Sequence, residues 1–143
     1  MGYDDLLRSG RIRAEAVSRQ EVTRALELAE RDLRTARELA ARERDWAFAI
    51  GYNAVLQACR AYMFAKGYRP ASTESHRNTL AFMRAVLADE EARIVSYFDR
   101  MRRKRHQAVY DQAGTITETE LEGFLPKAER FVQFIVSELT SQK

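Results

Sequence analysis

Apolar side chains occupy nearly every face of the stretch from Asp45 to Lys66: Trp46, Phe48, Ile50, Tyr52, Val55, Leu56, Cys59, Tyr62, Met63 and Phe64. A helix wound from these residues has no broad face to give to water. It belongs at the centre of a bundle or at a subunit contact. Gly67 suits the residue just past its end, and Pro70 blocks continuation. Everything else in the chain has to supply companions for this one element.

The companions are legible as helices. Ser18 with Glu21 three positions later reads as a capping box. From there Val22, Leu26, Leu28, Ala29, Leu33, Ala36 and Leu39 form a stripe to about Arg42. A third helix starts between Ser72 and Ser75 and carries Leu80, Phe82, Met83, Val86 and Leu87. Ala88 and Asp89 break it, and a fourth runs from about Glu90 to Asp111. After a turn at Ala113 and Gly114, a fifth runs from about Glu118 to Leu139. Its inward residues are Leu121, Phe124, Leu125, Ala128, Phe131, Val132, Phe134, Ile135 and Leu139. Pro126 either kinks this helix or opens its main part as a first-turn proline. Residues 1–17 form a short helix or an arm.

Glycine and proline are scarce, at six and two, and no strand candidate exceeds a few residues. The chain therefore reads as all-α. Short connections force neighbouring helices antiparallel, so the expected architecture is an up-and-down bundle of four to five helices in one domain over 1–143. The surplus apolar surface of the second helix predicts a homodimer.

The formal charge of +3 and pI near 9.2 permit nucleic-acid binding without requiring it. Cys59, the sole cysteine, reads as a small buried hydrophobe. Two histidines with no ligand spacing give no zinc signature, and no glycine-rich phosphate loop is present, so no metal or cofactor is expected. No apolar run approaches the ~20 residues of a membrane helix. Residues 1–7 lack the basic and apolar regions of a signal peptide, and the expected location is cytoplasmic.

Charge matters here for where it gathers. Six of the seven residues from Arg100 to His106 are basic or become so on protonation. On a helical wheel Ile94, Phe98, Met101, Arg105 and Ala108 follow one core pattern, which puts Arg105 on or beside the apolar stripe. A guanidinium there must pair with a carboxylate, face a cleft or reach outward. Arg103, His106 and Tyr110 share a second face, with Asp99 one turn earlier. Tyr97 and Tyr110 interleave the tract with aromatics, a pattern suited to single-stranded nucleic acid. The expected nucleotide- or RNA-binding residues are Arg100, Arg102, Arg103, Arg105, His106 and Tyr110. A solvated helix end, where the dipole favours cations, is the alternative. At the start of the third helix, His76 is read as bonding to backbone or to a neighbouring side chain.

Three segments together resemble the HEPN family, small prokaryotic helical-bundle proteins often encoded beside a minimal nucleotidyltransferase. Residues 49–67 are similar to its helix of paired tyrosines, small residues and a closing glycine, with Asn53 in place of the second tyrosine. Residues 70–76 resemble the loop and histidine that open its next helix. Residues 105–111 resemble its segment of an arginine followed, several positions on, by histidine or tyrosine. The likeness spans roughly residues 20 to 140 in order.

The resemblance implies RNA or nucleotide as ligand and a nucleotidyltransferase as a possible protein partner, in a toxin–antitoxin-like pair. It also implies, for active members, a metal-independent endoribonuclease site formed where two such helices meet across a dimer. There a histidine moves the proton of the ribose 2′-OH or leaving oxygen, and an arginine stabilises the phosphate. Two registers satisfy the pattern. In one, Arg100 pairs with His106. In the other, Arg105 is the arginine, His106 the polar residue after it, and Tyr110 stands where the catalytic histidine belongs. The candidate catalytic set is thus Arg105, His106 and Tyr110. A phenol is a poor base at neutral pH, so a binding module, an active nuclease and a non-catalytic dimeric interaction bundle all stay open.

Overall fold

The computed structural model describes residues 2–111 and 113–141; Met1, Gln112 and residues 142–143 of the expected 1–143 domain lie outside the described residues. The described residues form six α-helices and one short pair of strands: α1 (Tyr3–Arg8), β1 (Ile12–Ala14), α2 (Arg19–Leu39), α3 (Arg44–Ala65), β2 (Tyr68–Pro70), α4 (Ser75–Val86), α5 (Asp89–His106) and α6 (Glu118–Thr140). The fold is all-α in character, a helical bundle with α3 at its centre. Helix α3 packs against α2, α4, α5 and α6.

That placement answers the demand made by the apolar residues of α3. Ala47, Phe48, Tyr52, Ala54, Val55, Ala58, Cys59 and Met63 are all buried, and they join one continuous core with residues of the other helices. Burial pushes the Cys59 thiol well above its ordinary value, so it stays protonated. Gly51 allows the closest approach: a Cβ there would sit 3.0 Å from Phe124 and 3.2 Å from Leu125 of α6. Most faces of α3 are covered within the chain, and Trp46 in its first turn is left exposed. Among the described residues the large hydrophobics left exposed are Trp46, Val86 and Tyr110.

Caps follow the sequence closely, with one change. Thr117 and Glu120 form a reciprocal capping box at the start of α6, with bonds of 3.1 and 3.0 Å. Ser18 accepts the Glu21 amide at 3.2 Å, but the Glu21 carboxylate turns away to Arg69 at 2.8 Å. The predicted capping box of α2 is thus a single cap, because a guanidinium outcompetes a backbone amide for the carboxylate. Helix α6 runs on through Pro126 and does not begin there.

The strand pair was not foreseen. Ile12 faces Pro70, Arg13 faces Arg69 and Ala14 faces Tyr68 in an antiparallel ladder. Three residues per strand are too few to show alternation in sequence. The pair ties the N-terminal segment across the α3–α4 connection, reinforced by a hydrogen bond between the Tyr3 and Tyr68 hydroxyls. Leu6 and Ile12 are buried beneath it. This clamp fixes where α4 begins, and α4 begins at the candidate site.

Candidate functional site

Helix α5 carries an inward stripe that changes character along its length. Val95 and Phe98 are its buried residues. The Phe98 ring packs edge-on against Phe131 at 5.4 Å and Phe124 at 6.0 Å, which sets the rotation of the helix. One and two turns further on, the same side presents Arg102 and Arg105. There the helix has run past the core, and its inward face looks across a gap to the start of α4.

The opposite wall is held firmly. Glu74 precedes α4 with a left-handed backbone (φ 55°), a conformation unfavourable to a residue with a Cβ. Buried Asn78 locks this entry. Its amide donates to the Thr73 carbonyl at 3.0 Å, and its oxygen accepts from Arg11 at 2.7 Å. His76 and Arg77 are thereby aimed at α5. Between the walls lies a hollow of about 520 Å³, with His76 and Arg77 on one side and Arg102, Arg103, Arg105 and His106 on the other.

The charges around this hollow are unevenly compensated. Asp99 accepts from Arg84 at 3.0 Å and from Arg102 at 3.3 Å. Lys104 pairs with Glu120 at 2.9 Å, and Arg77 with Glu74 at 3.3 Å. Among the described residues, Arg103 and Arg105 have no carboxylate within ion-pair distance. Arg105 is the extreme case. Its Nε is buried without a hydrogen-bond partner, and its guanidinium lies 5.8 Å from the centre of the Tyr52 ring. A half-buried cation left so is costly unless an anion completes it.

Two neighbours feel this field. His76 is half-buried, and among the described residues its ring has no hydrogen-bond partner. Burial, then Arg105, Arg60 and Arg102, hold its pKa below the ordinary histidine value, so it is neutral at neutral pH. The Tyr52 hydroxyl is buried without a partner. Burial keeps it a neutral phenol, although Arg102 and Arg105 pull the other way.

The structure thus gathers Arg102, Arg103, Arg105 and His106 of the expected set. Arg100 is exposed and does not line the hollow. Nor does Tyr110. After His106 the helix loosens into a π-helical turn, Gln107–Asp111, which changes the register assumed for a regular helix ending at Asp111. Arg103 and His106 line the hollow, and Tyr110 does not. Tyr110 keeps a ring contact with His106, at 5.1 Å, but lines a neighbouring groove. Asp99, placed one turn before Arg103, serves Arg102 instead. His76 departs from the sequence reading, since it faces the hollow. Tyr52 and Arg60 were not singled out for the site. The available signal was Arg60 itself, a guanidinium inside an otherwise apolar run and two turns from Tyr52. Among the described residues no cluster of histidine, cysteine and carboxylates is arranged to hold a metal ion. No described helix is long and apolar enough to cross a membrane.

With this geometry in place, the comparison with protein families is direct. The HEPN domain model matches residues 22–139, which takes in α2 through α6 and both walls of the hollow. The chain belongs to the HEPN family, which associates it with nucleotide- or RNA-related function. No curated protein matches it significantly.

Proposed function

We propose that the hollow between α4 and α5 binds the phosphate groups of RNA or a nucleotide. The observation that carries this reading is Arg105. The fold buries its Nε without a hydrogen-bond partner and gives it no carboxylate. Arg103, Arg102 and Arg77 stand around the same hollow. A phosphate there accepts bidentate hydrogen bonds and neutralises the cluster at once. Labelled single-stranded RNA titrated at several salt concentrations tests the reading. Binding at low salt that weakens steeply as salt rises is expected. No binding at low salt, or affinity insensitive to salt, contradicts it.

A second reading, a metal-independent ribonuclease, is favoured by a separate observation: two imidazoles, His76 and His106, line one hollow with the arginines. In it, a neutral imidazole takes the 2′-OH proton and the 2′ oxygen attacks phosphorus. The bond to the 5′ oxygen breaks, and a protonated imidazole returns a proton to that oxygen. Arg105 offsets the charge gathered on the phosphate. RNA incubated with the protein in chelator separates the readings. Cleavage by the wild type and its loss in His76→Ala or His106→Ala supports chemistry. RNA left equally intact by all three supports binding alone.

A further inference from the structure

On the other side of Arg105 lies a groove of about 660 Å³ that the phosphate reading does not use. Two of its lining side chains are aromatic, beside the aliphatic Ala49, Ile50 and Val109. Of the three large hydrophobic side chains exposed among the described residues, two meet here: Trp46, 53% exposed, and Tyr110, 67% exposed. Trp46 comes from the first turn of α3, and Tyr110 is delivered by the π-helical turn. The floor is polar. The buried Asp32 carboxylate accepts from Asn53 at 2.8 Å and from Arg31 at 2.8 Å, and both Asp32 and Asn53 line the groove.

Groove and hollow adjoin at two points. Arg105 lines both of them. The His106 ring on the rim of the hollow also packs against Tyr110 in the groove. An arginine site for phosphate beside flat aromatic side chains is the arrangement that single-stranded nucleic acids use, because every base has a face to stack. Asp32 and Asn53 add hydrogen-bonding groups for the edge of a base.

We infer that this groove takes the nucleobase of the nucleotide whose phosphate occupies the hollow. The inference rests on the phosphate reading and extends it to a two-part site: Arg102, Arg103 and Arg105 hold phosphate, and Trp46 and Tyr110 sandwich or flank the base. The ligand class is a nucleoside phosphate, either free or within single-stranded RNA.

Trp46 is the sole tryptophan of the chain, so tryptophan emission reports on this groove alone. The experiment titrates the whole protein with ribose 5-phosphate, with adenosine 5′-monophosphate and with a short single-stranded oligoadenylate. Binding is read by calorimetry and Trp46 emission in parallel. All three bind through phosphate, but only the two that carry a base quench Trp46 saturably. The mononucleotide binds about fivefold to a hundredfold more tightly than ribose 5-phosphate, the range expected for one stacked base. Tyr110→Ala, an exposed change that leaves the core untouched, removes about fivefold or more of the preference for the mononucleotide over ribose 5-phosphate. A clear advantage for the oligonucleotide over the mononucleotide identifies RNA as the source; equal affinity identifies the free nucleotide.

Equal affinity for ribose 5-phosphate and the mononucleotide, with no quenching, overturns the base groove and leaves the phosphate reading standing. No binding by any of the three overturns both. Emission that shifts with protein concentration alone, alongside a dimer in sedimentation, overturns the base groove by showing it covered by a second copy of the chain.

Discussion

Two helices of this protein are rich in arginine, and they differ in how their cations are paired. Helix α2 carries Arg24, Arg31, Arg34 and Arg37, interleaved with Glu27, Glu30 and Glu38. Two of its cations are paired, Arg31 with Asp32 at 2.8 Å and Arg37 with Glu129 of α6 through two nitrogens, while Arg24 and Arg34 share a groove with Glu27 and Glu30. Glu129 is held below the usual carboxylate range by that contact. The end of α5 has no such interleaving. Its acids stop at Asp99, which is taken up by Arg84 and Arg102, and Arg103 and Arg105 face the hollow uncompensated. The lesson is that the number of arginines decides little. What decides is whether the fold supplies the counter-charge or leaves room for a ligand to bring it.

The largest effect that sharpens this contrast is on binding. Replacing Arg103 and Arg105 together by alanine should weaken single-stranded RNA binding by about a hundredfold or more, since each charge-assisted bond contributes roughly 1.5–3 kcal/mol. Arg34→Ala with Arg37→Ala should change it less than about twofold, the effect of distant screened charges. Fluorescence anisotropy checks both pairs, and equal losses would erase the distinction drawn here. Next in size is the salt dependence. The α5 pair should flatten the slope of log affinity against log salt by about 0.7 for each lost phosphate contact, while the α2 pair leaves it unchanged.

A pH effect follows. His76 is faced by Arg60 from α3 and by Arg102 and Arg105 from α5, with Glu74, Arg77, Arg103 and His106 around the same hollow. Because its pKa is lowered in the folded state, the unfolded chain binds its proton more readily. Stability is therefore lost as pH falls through the ordinary histidine value toward the lowered one. A phosphate in the hollow opposes those arginines and favours the imidazolium, so RNA binding should tighten over the same fall in pH. His76→Asn should remove the His76 share of both slopes, seen as a flatter denaturation midpoint and a flatter affinity curve between pH of about 7.5 and about 5.5. The smallest effect is on stability itself. Arg105→Met exchanges an unpaired half-buried cation for an apolar chain and should be neutral or stabilising by up to about 1 kcal/mol. Arg37→Met breaks a largely solvated pair and should cost at most about 1 kcal/mol. Urea denaturation measures both.

Much of this was legible in the sequence, for identifiable reasons. The all-round apolar pattern of α3 announced a central helix, and the turn at Ala113 and Gly114 announced the start of α6 near Glu118. The tract from Arg100 to His106 marked the helix whose end lines the hollow. Its geometry was less accessible. Tyr110 was misplaced because periodicity assumes a regular helix, and a π-helical turn leaves no mark in composition. Val95 was missed, although Ile94 beside it does pack against the core, because the wheel kept one of two adjacent apolar residues. His76 was read locally because its role comes from contacts with Arg60 and Arg105, distant in sequence. The Asp32–Asn53 pair, which floors the neighbouring groove, depends on how α2 and α3 are rotated against each other. Spacing along one chain does not encode that.

The most direct measurement follows the arginine Nε–Hε signals and the His76 ring by NMR while labelled protein is titrated with a short single-stranded RNA. Saturable shifts at Arg102, Arg103, Arg105 and His76, with Arg31, Arg34 and Arg37 unmoved, are the predicted result. Shifts of equal size on α2, or silence at Arg105 while RNA binds elsewhere, would contradict the assignment of the hollow as the phosphate site.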